Sequence, residues 1–207
     1  FAILNEYKPI RSAAGHTTPF ALRIVDSQQV FAGQGILPVE AVRLRDAGAT
    51  APEIRSRLEF LAERSYAYMV PRDLGYLRAR IKHRGDRSVS LLAALIGGAL
   101  DIKPILHCHR GDTGPVGKVR GFEPAAEKLL GFVAERVRAG LLTPTLCLSY
   151  GGELEQMRAL PGYDALVEAC DAHHVERFET VMSLTGMVNV GAGSLTVGFA
   201  APPHTFA

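Results

Sequence analysis

Cysteine is scarce in this chain of 207 residues, and the three present (Cys108, Cys147, Cys170) are odd in number and far apart. Each sits among apolar neighbours, so reduced, buried thiols are expected rather than a disulfide framework, which fits a cytoplasmic setting. Net charge is nearly absent too: at +2 it is too small to demand a nucleic acid or an anionic membrane as partner. A bilayer span needs ~20 apolar residues, and the run Val89 to Leu100 stops short of that. No stretch reads as a signal peptide or a lipidation motif, and there are no internal repeats or low-complexity linkers. An initiator Met is missing as well. Phe1 opens in mid-pattern and FAILNEYKPIRSAA has no helix cap, so further residues are expected upstream.

Apolar residues make up 47% and charged ones 21%, ample for a core, and the length permits one large domain or two small ones. The chain is read around residues 88–121. The run Val89–Leu100 has the pattern of a helix buried on every side. Beyond a break at Asp101 comes Lys103-Pro104-Ile105-Leu106. Arg110-Gly111-Asp112-Thr113-Gly114 then supplies the turn for a return strand through Val116 to Arg120. Upstream, Ala2–Ala14 reads as a helix tail closed by Gly15, and residues 21–26 (ALRIVD) as a short buried strand. Ile36–Ala47 reads as a helix stopped by Gly48, and Thr50-Ala51-Pro52-Glu53 as a capping box opening the next one. Tyr66–Val70 looks like a strand, and Pro71 starts a short helix with Leu74 and Leu77. Phe122–Val137 is amphipathic. Thr143–Ser149 and Val175–Met182 read as strands flanking helical material that ends near Ala172. Gly186–Gly193 reads as a glycine-rich loop, and Leu195, Val197, Phe199 and Ala201 alternate as a last strand. Interleaved helices and strands make the class α/β, with a mixed sheet.

Few patterns carry chemistry. Ser27 follows the first expected strand and precedes a glycine-bearing loop and a helix, where open α/β sheets place ligands; plain loop glycines and a capping side chain are the simpler explanation. A dinucleotide fingerprint fails there, because Gly33-x-Gly35 comes too late and Pro38 stands at the third glycine. On a strand, His107 and His109 share one face while Cys108 points away, and no further ligand stands at metal spacing, so no metal is expected. Residues 72–87 hold six Lys or Arg against Asp73 and Asp86, with only Tyr76 for stacking. That is a solvated loop, or one in which an arginine turns inward to hold a carboxylate at the mouth of an apolar site. Gly186–Gly193, with Asn189, forms either an anion nest or a tight turn. Ser149 has no histidine at a defensible spacing, and catalysis finds little support.

Five runs line up in order: IVDSQQVFAGQGILPVEAVRLRDAG, YMVPRDLGYL, LLAALIGGALDIKPIL, GPVGKVRG and NVGAGSLTVGFA. Together they resemble the DegV family of bacterial fatty-acid-binding proteins over nearly all of residues 20–201, and the IKPIL and KVRG pair is fairly specific. The resemblance implies a two-domain α/β architecture (the EDD fold). Residues 1–64 would be the end of an N-terminal domain with a parallel sheet between helices, and 65–207 a C-terminal two-layer domain with a mixed sheet. It further implies a fatty acyl chain in an apolar tunnel, no cofactor and no turnover. The carboxylate would be held by hydroxyls of the first domain with an Arg and a His of the second, and presented to a partner such as a fatty acid kinase for phospholipid synthesis. The family arginine follows a Tyr-Leu pair, which points to Arg80 after Tyr76-Leu77, with Arg87 behind it. The family histidine falls on Asn189, which hydrogen-bonds but cannot carry charge, so a weaker carboxylate grip or a different ligand is expected. Two other readings stay open. One is a small-carbonyl enzyme of the dihydroxyacetone kinase-like fold group, for which His16 is the only nearby histidine; the other is a nucleic-acid-associated regulator using residues 78–87.

Overall fold

The computed structural model describes residues 2–18, 22–84 and 101–207. The expected apolar helix over 89–100 and the candidate Arg87 lie outside them. The elements are α1 (Ala2–Ala13), a 3-10 turn (Phe31–Gly35), α2 (Ile36–Asp46), α3 (Ala51–Ala62), β1 (Ser65–Val70), α4 (Leu74–Arg84), β2 (Ile102–His109), β3 (Asp112–Arg120), α5 (Phe122–Ala139), β4 (Thr145–Tyr150), α6 (Leu154–Arg158), α7 (Tyr163–Ala172), β5 (Glu176–Val181), α8 (Leu184–Val190) and β6 (Leu195–Ala200).

The strands form one six-stranded sheet in the order β3-β2-β1-β6-β4-β5, antiparallel except for the β4–β5 pair. The hairpin β2–β3 turns through Arg110 and Gly111, both at positive φ, as a tight two-residue turn demands. The closing strand β6 inserts at the centre, between β1 and β4. Every residue of β1, β4 and β6 is buried, so both faces of these strands are covered.

One face is large and aliphatic. Val70, Leu146, Leu148, Leu195, Val197 and Phe199 pack against α5 and α7. The expected apolar side of α5 holds in full: Phe122, Ala125, Ala126, Leu129, Leu130, Val133 and Val137 are all buried. At the β1–β2 edge of this face the C-terminal segment folds back. The Tyr68 hydroxyl lies 3.0 Å from His204 Nε2, and Phe206 packs on Phe132 with ring centroids 4.5 Å apart. His204 Nδ1 faces the Pro202 carbonyl at 2.8 Å, so Nδ1 carries the proton and Nε2 accepts from Tyr68.

The other face is lined by small residues where the chain comes closest. A Cβ on Gly198 would stand 2.5 Å from Gly33 Cα, and one on Gly33 2.9 Å from Ala67 Cβ. The glycines of the 31–35 turn are therefore there for close backbone approach to the sheet. Ile36, Leu37, Leu61 and Ala62 then cover Cys147 and Ala200. A polar joint locks this layer down. Buried Glu40 accepts from Arg43 (2.8 Å), Arg57 (3.0 Å) and the Thr143 hydroxyl (2.6 Å), while Arg57 also donates to the Leu142 carbonyl (2.5 Å). Burial alone would raise the Glu40 pKa. The bonds from Thr143, Arg57 and Arg43 outweigh it and hold the carboxyl below its ordinary range.

Two expectations fail. Residues 22–30 form no strand, and Ile24 is 86% exposed. Among the described residues no strand offers this segment a partner ladder. Its Asp26 side chain instead accepts from the Gln28 N–H (2.9 Å) in a local turn. The segment expected as a glycine-rich loop is helical over Leu184–Val190, capped by the Ser183 hydroxyl accepting from Gly186 N–H (3.1 Å).

Glu40→Ala leaves two arginines facing an emptied joint and should cost about 3 kcal/mol in chemical unfolding. A loss under about 1 kcal/mol would show that the joint is dispensable. His204 lies below its ordinary pKa of 6.5, chiefly through burial, with the Pro202 carbonyl opposing and Arg136 and His109 adding. A depressed folded pKa means the unfolded imidazole takes the proton first. The stability it confers is therefore complete above about pH 6.5 and drains away on acidification below it. His107 is depressed in the same sense, again mainly by burial. The melting temperature should fall between pH 7 and 5, and less steeply in His204→Gln. Equal slopes would clear His204 of that role.

Candidate functional site

Beyond the 31–35 turn, the same sheet face changes character. Met69 from β1, Leu106 from β2, Leu77 from α4, Val190 from α8 and Met182 beyond β5 form a separate apolar cluster, with Phe31, Leu74 and Met187 at its edge. Three of the four methionines of the chain meet there. Unbranched thioethers adapt to irregular or changing contents better than branched side chains do. A small cavity of about 30 Å³ lies between Val30-Phe31 and the β1–β2 pair, floored by Ala67, Met69, Leu106 and Cys108. Phe31 and Met182 also stand in the wall of a larger groove of about 430 Å³, which runs past Gly35, Val39 and Cys147 to Phe178 and Val181. Burial pushes the Cys147 thiol up to about 12, so it remains an apolar wall at neutral pH.

The helices α4 and α8 pack on each other at the rim of the cluster. Tyr76 fastens them. Its hydroxyl donates to the Val188 carbonyl (2.7 Å), and its ring blocks the Cβ position of Gly191, which turns at φ +88. Arg80 is one helical turn beyond Tyr76 on the same side of α4. Its Nε is buried and has no hydrogen-bond partner. On α8, Asn189 donates from Nδ2 to the Thr185 carbonyl (2.8 Å), while its Oδ1 is buried and likewise has no partner. A donor on α4 and an acceptor on α8 thus stand unsatisfied; among the described residues Gln29 Oε1, Arg136 Nε and Arg177 Nε are in the same condition elsewhere.

Ser27 lies elsewhere. Its hydroxyl accepts from the Gln29 N–H (3.3 Å), and the adjacent Gln28 carbonyl accepts from Gly111 N–H (3.0 Å), which places the segment beside the β2–β3 turn. Among the described residues no hydrogen bond joins Ser27 to α4 or α8. His107 and His109 share the face of Tyr66 and Tyr68, as strand alternation requires, with His109 stacked on Tyr66 at 4.1 Å. No group of three or more His, Cys, Asp or Glu is placed to hold a metal ion among the described residues. Nor is any helix among them long and apolar enough to cross a membrane. Of the basic stretch, Arg80 carries a buried Nε without a partner, and the side chains of residues 78, 82 and 84 lie outside those described. Sequence reasoning did not single out Met69, Met182 and Met187, and it named Tyr76 only as an aromatic in the basic stretch and a marker for Arg80. They come from β1, α4, α8 and the residue just past β5, and no local pattern announces that they converge.

Relatives share this framework. A DegV domain-containing protein of Xanthomonas axonopodis pv. citri is 64% identical over 206 residues, covering all of this chain and 66% of its own length. The chain thus spans just under two thirds of that relative. Among solved structures, the fatty acid binding DegV family protein of Streptococcus agalactiae superposes with a TM-score of 0.67 at 20% identity, over 98% of this chain and 66% of its own. A DegV family protein from Eubacterium eligens, loaded with heptadecanoic acid, gives 0.64 at 16% identity, over 96% and 68%. At such identities the likeness speaks for the fold. The family model described as "Uncharacterised protein, DegV family" matches residues 5–202, nearly the whole sequence, and the chain belongs to that family.

Proposed function

We propose that this protein holds a fatty acid, its hydrocarbon tail against the methionine-rich sheet face and its carboxylate at the α4–α8 seam. The observation that carries this is a buried, partnerless polar atom on each of the two helices that supply Leu77 and Val190 to the apolar cluster: Arg80 Nε on α4 and Asn189 Oδ1 on α8. A buried guanidinium N–H without an acceptor is costly unless a ligand supplies one. An anionic head on an apolar tail is the ligand class that answers both halves of the site. Binding by the Streptococcus and Eubacterium relatives supports the same class.

The expected division at residue 64/65 belongs to this proposal. Residues 65–207 supply the sheet and the seam, and residues 1–64 are the end of a preceding α/β domain whose hydroxyls complete the carboxylate site. Arg87 is held in reserve as a second cation, and Ser27 as a hydroxyl on the first-domain side. We infer a cytoplasmic carrier without turnover or cofactor, which offers the carboxylate to a partner such as a fatty acid kinase. The tail supplies most of the affinity, at ~0.8 kcal/mol per buried CH₂, and Arg80 fixes the end.

Denaturing extraction of the purified, folded protein followed by mass spectrometry should release a long-chain fatty acid; a lipid-free extract contradicts the reading. In titrations, lengthening the acid by two carbons should tighten binding by about tenfold until the apolar space is full. Arg80→Gln should weaken binding of every such acid by about tenfold or more. Affinity indifferent to chain length would place the ligand elsewhere.

A further inference from the structure

We propose that two copies of this chain pair through the outer edge of β5, antiparallel about a two-fold axis at Phe178, joining their six-stranded sheets. Among the described residues the sheet ends in two edges, β3 and β5, and they are built differently. β3 carries Gly114, Pro115, Gly117 and Lys118, and its pairing with β2 shifts register between Ile105 and Leu106. Those are devices that keep an edge from recruiting another strand. β5 reads Glu-Arg-Phe-Glu-Thr-Val and has none of them.

The backbone fixes what this edge offers. The N–H groups of Glu176 and Met182 donate inward, to the Pro144 carbonyl (2.9 Å) and the Tyr150 carbonyl (2.7 Å). Alternation along the strand then turns the backbone groups of Arg177, Glu179 and Val181 outward. The Val181 carbonyl takes the Thr180 hydroxyl (3.1 Å), and the Val175 N–H is used by the Cys170 carbonyl (2.8 Å). The open stretch is therefore Arg177 to Glu179, and its outward N–H groups meet no hydrogen-bond partner among the described residues.

Antiparallel pairing sets outward residues opposite outward residues, so the strand overlaps a second copy in registers centred on Arg177, Phe178 or Glu179. The first puts Arg177 on itself and the last puts Glu179 on itself, each with like charges directly opposed. The register centred on Phe178 sets Arg177 against the partner's Glu179, twice by symmetry, and forms about four backbone hydrogen bonds. The side chains are already poised for it. On the α7 face Arg177 donates to Asp171 (2.5 Å), and Glu179 accepts from Arg158 (2.9 Å) and from the Tyr163 hydroxyl. Charges would then alternate along that face, from Asp171 through Arg177 to the partner's Glu179. On the opposite face Phe178 stands exposed beside Val39 and Val42 of α2, where the partner's Phe178 would cover it.

Sedimentation velocity of the intact protein over roughly 10–500 μM should show the average mass rising from one copy toward two, as a small interface requires. Phe178→Lys opposes two like charges at the axis and should weaken pairing about tenfold or more. The three native cysteines are buried, so a thiol placed on this edge reports the register. Phe178→Cys should give a disulfide-linked dimer under mild oxidation, because a non-hydrogen-bonded pair brings its Cβ atoms to about 4.5–5.5 Å. Thr180→Cys, opposite Glu176 in this register, should stay unlinked. Linking by Arg177→Cys or Glu179→Cys instead of Phe178→Cys overturns the register. A monomer at every concentration, or a dimer indifferent to Phe178→Lys, overturns the interface. Hydrogen exchange at the Arg177 and Glu179 amides should slow as concentration rises. Protection that is the same at all concentrations means that the chain's own residues cover the edge, and overturns it too.

Discussion

A sheet whose central strands are apolar on both faces must be covered on both, and how that cover is made governs everything else in this protein. On one face the solution is conventional. Leucines, valines and Phe199 interdigitate with α5 and α7 and leave little to be added. On the other face two different materials are used. Near Gly198 and Ala67 the backbone of the 31–35 turn lies almost directly on the sheet, admitted by side chains reduced to hydrogen or methyl. Toward Met69 and Leu106 the cover passes to methionines and to the edges of α4 and α8, and it is there that cavities open.

Polar groups follow the same division. Glu40 is deeply buried, yet its carboxylate receives three side-chain donors, and the joint is complete within the chain. Arg80 on α4 and Asn189 on α8 each keep one buried polar atom without a partner. A folded chain able to build the Glu40 joint has the means to partner them. That it does not is the ground for the ligand proposed here, since the same two helices supply Leu77 and Val190 to the apolar cluster.

The architecture was legible wherever one element carried its own signal. The α5 stripe, the Arg110-Gly111 hairpin and the Thr50-Glu53 capping pair all act within a few residues, and each is found as read. Residues 21–26 misled because a run of apolar side chains resembles a strand whether or not a neighbour exists to pair with it. Gly186–Gly193 misled in the opposite sense: Gly186 sits inside a short helix stabilised by its cap and by Tyr76, neither of which glycine content reports. Arg80 and Asn189 could be named from the family resemblance. Their missing partners could not, since an unmade hydrogen bond is a property of assembled helices.

The four methionines provide the most direct measurement. Met69, Met182 and Met187 belong to the proposed acyl face, whereas Met157 is fully buried on the opposite side of the sheet among the partners of α7. With methyl-¹³C-methionine protein and a fatty acid bearing a nitroxide on its chain, NMR should show strong broadening of the Met69 and Met182 methyl signals and a Met157 signal almost unaffected. Broadening centred on Met157, or none at any methionine under saturating ligand, contradicts an acyl chain lying on this face.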